Sequence, residues 1–130
     1  RGWTSVRRIL LDTQLVLWAL AGHRRLPRQA RQEIDRSEVF VSAASIWEIS
    51  IKSALGKLKL NPDAVLKAIE PAGFSMLSIK GEHAARVFDL GMHHHDPFDR
   101  LLVAQAQLES MTLLSNDAAL AAYGSCVHVL

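Results

Sequence analysis

Cysteine is nearly absent from this 130-residue sequence: Cys126 is the only one, so no intrachain disulfide can form and no thiol framework can hold a metal. A bound metal must therefore take oxygen or imidazole ligands. Long apolar runs are also missing. The longest, Leu15 to Ala21, falls far below the roughly 20 residues needed to span a bilayer. No signal-peptide pattern precedes it, and a cytoplasmic protein without membrane contact is expected. The glycine patterns GxGxxG and GxxxxGK[ST] do not occur, nor do CxxC pairs or HExxH, which weakens dinucleotide, nucleotide-hydrolysing and zinc readings. Ser45 lacks the GxSxG surroundings of a hydrolase nucleophile. There is no internal repeat, no low-complexity stretch and no linker, so residues 1–130 are expected to form a single domain.

What is present is a folded composition, 49% hydrophobic and 22% charged, with 15 Lys and Arg against 13 Asp and Glu for a formal charge of +2. The positive charge is uneven: Arg7, Arg8, Arg24, Arg25, Arg28 and Arg31 all fall in the first quarter of the chain. That bias suits a polyanionic partner, and equally suits solvated helix faces. The chain opens on Arg1 rather than Met, and whether the first few residues are native is left open.

Hydrophobic periodicity alternates between two kinds of element. Arg8-Ile9-Leu10-Leu11 reads as a buried strand, followed by a helix through Leu15, Leu17, Trp18 and Ala21 up to Gly22. Pro27 opens a second helix running to Ser37, and Val39-Phe40-Val41 is a second strand. A longer helix starts at Ser42 or Ser45 and ends near Gly56, with Glu48 in its second turn. Pro62 to Ile69 is a helix, Met76 to Ile79 a strand, and Glu82 to Leu90 a helix stopped by Gly91. His93-His94-His95 is loop. Asp96-Pro97-Phe98-Asp99 begins a helix reaching about Leu108, since Asp caps, Pro fits the first helical position and an acid favours the positive helix end. Thr112 to Leu114, Asp117 to Ala122 and Val127 to Leu130 complete the series as strand, short helix and strand. Such alternation predicts an α/β fold with a parallel sheet covered on both faces.

In open parallel sheets, ligands bind beyond the carboxyl ends of the strands. Asp12 directly follows the first strand, and Asp117 follows Thr112-Leu113-Leu114 after Ser115-Asn116. Asp99 lies in a helix's first turn, and Glu48 sits one to two turns into a helix that follows a strand. All four acids can converge at one end of the sheet, a donor set suited to a hard divalent cation and to phosphodiester hydrolysis. Each has a structural reading as well: Asp12 as a turn residue, Asp99 as a favourable helix-terminal charge, Asp117 as a cap and Glu48 as an exposed mid-helix acid. Asp96 is explained by capping alone.

The segments Ile9-Leu10-Leu11-Asp12-Thr13, Ser42-Ala43-Ala44-Ser45-Ile46-Trp47-Glu48-Ile49, His95 to Ala106 and Leu114-Ser115-Asn116-Asp117 together closely resemble the PIN-domain family. Within it, they resemble the VapC-type toxins of bacterial toxin–antitoxin pairs. The resemblance covers nearly the whole chain. It implies a central parallel sheet of four to five strands flanked by helices, and an endoribonuclease that activates water with Mg²⁺ or Mn²⁺. It also implies a homodimer, an RNA substrate, and a cognate antitoxin protein seated in the active-site groove. Carried over by position, the acidic site is Asp12, Glu48, Asp99 and Asp117. Ser115 stands where the family often has Thr, a departure that keeps the hydroxyl.

Three adjacent His side chains in a loop point in different directions, so solvation or an RNA phosphate contact is preferred for His93, His94 and His95 over a shared metal. Trp18 and Trp47 are expected in the core. The alternative function is a catalytically silent RNA- or protein-binding module of the same fold, against which retention of four close acids argues. A metal-dependent phosphatase is disfavoured, because no second acid stands close after Asp12.

Overall fold

The computed structural model describes residues 6–130, so the question raised by Arg1 lies outside the described residues. Five strands carry the architecture among them: β1 (Arg8–Leu11), β2 (Glu38–Ser42), β3 (Ser75–Leu77), β4 (Thr112–Ser115) and β5 (Val127–Val129). They form one sheet in the order β3-β2-β1-β4-β5 with every pair parallel. Between them run α1 (Thr13–Ala21), α2 (Arg28–Arg36), α3 (Ala43–Ala54), α4 (Pro62–Ile69), α5 (Gly81–Arg86) and α6 (Pro97–Glu109). Two 3₁₀ segments, Val87–Asp89 and Ala118–Tyr123, complete the set.

The central strand shows why the sheet is buried on both sides. Successive side chains of a strand point to opposite faces. Ile9 and Leu11 pack with Leu15, Val16, Ala30 and Ile34 of α1 and α2. Leu10 packs on the other face with Ala44, Leu102, Val103 and Ala106 of α3 and α6. Parallel strands covered on both faces read as unbroken apolar runs, and Ile9-Leu10-Leu11 is one. The helices start where the sequence supplies acceptors for their free N–H groups. Asp12 accepts from Leu15 N–H (2.9 Å), Ser42 from Ala44 N–H (2.9 Å) and Asp96 from Phe98 N–H (2.8 Å).

Four details depart from the sequence reading. β3 covers Ser75–Leu77 rather than Met76 to Ile79, because its partner β2 ends at Ser42, which pairs with Leu77. Beyond that register no strand remains to pair Ile79. Pro27 lies just ahead of α2, its carbonyl accepting from Arg31 N–H (3.0 Å). The segment after α5 tightens into a 3₁₀ turn where the Arg100 guanidinium takes the Val87 carbonyl (3.1 Å). Trp47, expected in the core, is 57% exposed. The buried side of α3 is taken by Ala44, Ser45, Glu48 and Ile49, which leaves Trp47 facing outward, edge-on to Phe98. Trp18 does pack against the core.

Three of the early arginines are used within the fold. Arg7 pairs with Glu33, Arg8 with the Glu109 carbonyl and with Glu38, and Arg31 with Asp35. Arg24, Arg25 and Arg28 stay exposed.

Leu10→Ala should destabilise the protein by about 2–5 kcal/mol, because a fully buried side chain of the central strand leaves a cavity between two helices. Phe88→Ala, at a side chain that is 91% exposed, should change stability by no more than about 0.5 kcal/mol. Urea unfolding of both variants at constant m-value checks the contrast.

Candidate active site

The chain reverses its direction of travel across the sheet between β1 and β4: β2 and β3 lie on one side of β1, β4 and β5 on the other. Loops leaving the carboxyl ends of two such strands diverge and open a crevice between them. Asp12 leaves β1 and Asp117 follows β4, so both stand at that crevice. Glu48 on α3 and Asp99 in the first turn of α6 reach the same space. The cleft, about 210 Å³, is lined by Asp12, Glu48, Asp96, Asp99 and Asp117, and Lys52 is the one Lys or Arg among its described lining residues. The four acids singled out in the sequence are thus brought together, with Asp96 at the edge.

Among the described residues, Asp12, Glu48 and Asp117 have their carboxylates fixed by hydrogen bonds, whereas Asp99 has His94 Nε2 at 3.6 Å. Ser115 donates its hydroxyl to Asp12 Oδ2 (2.6 Å) and accepts the Asp117 N–H on the same oxygen (3.0 Å). One buried hydroxyl therefore sets the spacing of two acids, and the Ser in place of Thr loses nothing in this role. Asp12 also receives the Leu15 N–H, and its own N–H donates to Leu114 O (3.0 Å). Asp117 caps the following 3₁₀ segment through Ala119 N–H (3.0 Å).

Glu48 is 5% exposed, unlike an ordinary mid-helix acid. Its Oε1 accepts from the Thr13 hydroxyl (2.7 Å) and its Oε2 from Lys52 Nζ (2.8 Å). The Thr13 hydroxyl has one proton, which goes to the carboxylate, so the Ser45 hydroxyl donates to Thr13 across their 3.0 Å contact. Lys52 was not singled out in the sequence. Its signal is the i,i+4 spacing from Glu48, a spacing that places two side chains together on one helix face.

Charge crowding marks Asp99 most strongly. Burial first, then the Asp96 carboxylate, with Glu48 and Asp12 adding to it, push its pKa up to about 7, against a downward pull from His94. Burial also raises Asp12, opposed by its Ser115 hydrogen bond. The Lys52 ammonium is held on the charged side by its hydrogen bond to Glu48. A half-buried cleft with several carboxylates and one ammonium lacks positive charge, and its donor atoms are carboxylate oxygens. That set fits a hard divalent cation such as Mg²⁺ or Mn²⁺.

Of the three adjacent histidines, His93 stacks edge-on against Tyr123 and both His93 and His95 are exposed. His94 turns inward. Its Nε2 lies 3.0 Å from Asp117 Oδ2 and 3.6 Å from Asp99 Oδ2.

A parallel α/β sheet with acids gathered at its switch point defines a class of site before any relative is considered. A scan against known families matches the PIN domain over residues 9–125, and the chain belongs to the PIN domain family. Comparison with curated proteins finds no match. Among solved structures, a toxin–antitoxin complex from Klebsiella pneumoniae is similar at a TM-score of 0.67 and 18% identity, covering 93% of this chain and 96% of that one. VapBC2 from Rickettsia felis, bound to a DNA fragment from its promoter, gives 0.66 and 12%, with 95% and 97% covered. FitAcB from Neisseria gonorrhoeae gives 0.64 and 21%, with 92% and 95% covered. At such identities the likeness establishes the fold alone.

The raised Asp99 pKa has a defined sign for stability. The unfolded carboxyl ionises near the ordinary aspartate value of 3.8 while the folded one stays protonated up to about 7. The folded state therefore binds the extra proton between those values, and metal-free stability falls as pH rises through that window. Asp99→Asn should raise the melting temperature in EDTA at pH 8 and change it little at pH 5. Differential scanning calorimetry at the two pH values measures this, and a variant that melts lower at pH 8 contradicts the charge-crowding account.

Proposed function

We propose that this chain is the toxin component of a toxin–antitoxin pair and acts as a Mg²⁺- or Mn²⁺-dependent endoribonuclease. Asp12, Glu48, Asp99 and Asp117 form its acidic site. The observation that carries the reading is the convergence of these four carboxylates in one cleft at the switch point of the sheet. Membership of the PIN domain family supports a nuclease, and the toxin–antitoxin complexes among the structural neighbours support the biological role.

When bound, a divalent ion polarises a phosphoryl oxygen and makes water acidic enough to attack at neutral pH. The chain's own groups do the rest. Asp12, Asp99 and Asp117 offer the carboxylate oxygens that would hold the ion. Ser115 keeps Asp12 and Asp117 at fixed spacing, and the Thr13 hydroxyl orients Glu48. Lys52 is the cation within reach of an incoming phosphate. Hydrolysis adds the water oxygen to phosphorus and releases the ribose oxygen of the broken P–O bond, which takes up a proton.

The partners that follow are an RNA substrate, a second copy of the chain in a homodimer, and a cognate antitoxin. A protein segment presenting Arg or Lys would neutralise this cleft as a metal does, and would thereby silence it. A cytoplasmic location fits an RNA target, and among the described residues no helix is long and apolar enough to cross a membrane.

The test is incubation of antitoxin-free protein with total cellular RNA and Mg²⁺ or Mn²⁺, followed by sequencing of the cut ends. Asp12→Asn and Asp99→Asn should each lower cleavage more than about 100-fold, since even groups behind metal ligands typically contribute about 10- to 100-fold. Asp96→Asn should keep most of the activity, because Asn caps a helix as well as Asp. It should also move the rise of activity with pH toward lower pH, because Asp96 helps to hold Asp99 protonated. Wild-type cleavage by Asp99→Asn at equal Mg²⁺ would remove that residue from the site.

A further inference from the structure

Three ligand-type atoms, His94 Nε2 and one carboxylate oxygen each of Asp99 and Asp117, lie within 4.8 Å of one another. Spacing alone would make them a nitrogen-and-oxygen site for a transition metal. The other ring nitrogen decides otherwise. His94 Nδ1 accepts the backbone N–H of Asp96 (3.0 Å), so Nδ1 carries no proton and, in the neutral ring, Nε2 does. A histidine that ligates through Nε2 has the opposite arrangement, with Nδ1–H donating to an acceptor behind it. In this ring Nε2–H points at Asp117 Oδ2 and can only donate.

The residue is held in that pose from two further directions. The His94 N–H donates to the Tyr123 hydroxyl (3.1 Å). Its carbonyl accepts from Arg100 (3.4 Å), the same buried guanidinium that gathers the carbonyls of Val87 and Gly91 (3.1 and 3.2 Å). The donor of the Nδ1 bond, Asp96 N–H, belongs to the residue that caps α6, so helix start and imidazole are locked together. Arg100, one turn into α6, thus folds the loop that delivers His94 to the acids.

Resting on the proposed metal-dependent reading, we propose that His94 is a positioning residue. It is a fixed Nε2–H donor that holds Asp117 aimed at the cleft and keeps the cation's ligand set all-oxygen, favouring Mg²⁺ and Mn²⁺ over metals that seek imidazole. One lone pair of Asp117 Oδ2 receives the imidazole N–H, and the other remains for the cation. Asp117 Oδ1 is already engaged as a cap by Ala119 N–H, so the direction of Oδ2 depends on His94.

Isothermal titration of the purified chain with Mn²⁺ and with Zn²⁺ tests this, comparing wild type, His94→Ala and His94→Gln. The Gln amide nitrogen stands where Nε2 does and can donate but not ligate. His94→Ala should weaken Mn²⁺ binding roughly 10- to 100-fold, with Zn²⁺ weakened in the same proportion, and His94→Gln should recover most of it. Imidazole ¹⁵N spectra should show the Nε2–H tautomer both in EDTA and with Mg²⁺. Equal Mn²⁺ affinity in His94→Ala, no recovery in His94→Gln, a selective loss of Zn²⁺, or a switch to Nδ1–H on adding Mg²⁺ would each overturn the positioning role. A wild type that binds neither Mn²⁺ nor Zn²⁺ would overturn the metal-dependent reading itself, and this role with it. Melting temperatures in EDTA show which variants remain folded, and His94→Gln carries the test if His94→Ala does not.

Discussion

Electrostatic repulsion confined to a half-buried cleft is the constraint around which the rest of this domain is arranged. Two like charges about 4 Å apart repel by roughly 4 kcal/mol at an effective dielectric near 20, and here five carboxylates share a lining with one ammonium. A cluster of this kind persists only if each member is fixed by something that does not depend on the others. The protein supplies that anchorage through its backbone. The pairing of β1 with β4 sets Asp12 beside the end of β4, where the Ser115 hydroxyl bridges to Asp117. The backbone of the first turn of α6 sets Asp99, and the Thr13 hydroxyl sets Glu48.

This resolves a choice that the sequence left open. Asp12 and Asp117 could each be read as a cap or as part of a site, and in the structure each caps a helix start and also lines the acidic cleft. One oxygen of each carboxylate accepts a backbone N–H at a helix start while the other meets a side chain, the Ser115 hydroxyl for Asp12 and the His94 ring for Asp117. The two roles share a cause. A helix beginning just after a parallel strand places its first N–H groups at the carboxyl edge of the sheet, where ligands bind. An acid that satisfies one of those groups is held rigid at the place where a charge is useful. Asp96 differs in degree: a single oxygen accepts both Phe98 N–H and Asp99 N–H, and its influence on the site passes through the field it exerts on Asp99.

The legible part of the fold was the part governed by period and punctuation. Ile9-Leu10-Leu11 as a strand, Asp96-Pro97 as a helix start and the order of elements all follow from local rules, and the four acids were placed by where those elements end. What local rules cannot reach is geometry set by partners distant in sequence. β3 stops at Leu77 because β2 stops at Ser42. Trp47 lies outside because four smaller or polar residues of α3 claim its inner side. His94 differs from His93 and His95 because Arg100, Tyr123 and Asp96 N–H converge on it from three separate places. Lys52 is the nearest to being legible, but its i,i+4 spacing from Glu48 is one that ion pairs on any exposed helix face share.

The balance of charge bears on how a polyanion reaches the site. Half of the six early arginines, which in sequence suggest a nucleic-acid face, are engaged within the fold: Arg7, Arg8 and Arg31 pair with its acids. The exposed remainder, Arg24, Arg25 and Arg28, lines no part of the cleft among its described residues. On the proposed ribonuclease reading, an RNA phosphate approaching the acids would meet repulsion offset by Lys52 alone among the described lining residues, and Lys52 is tied to Glu48. A single divalent ion does not reverse the sign of a lining with five carboxylates and one ammonium. Productive binding consequently needs more than the ion: the phosphate must either draw Lys52 away from Glu48 or bring further cationic charge with it. In the first case Glu48 loses the partner on Oε2 and becomes free to face the ion, so binding of substrate and completion of the acidic site would be one coupled event.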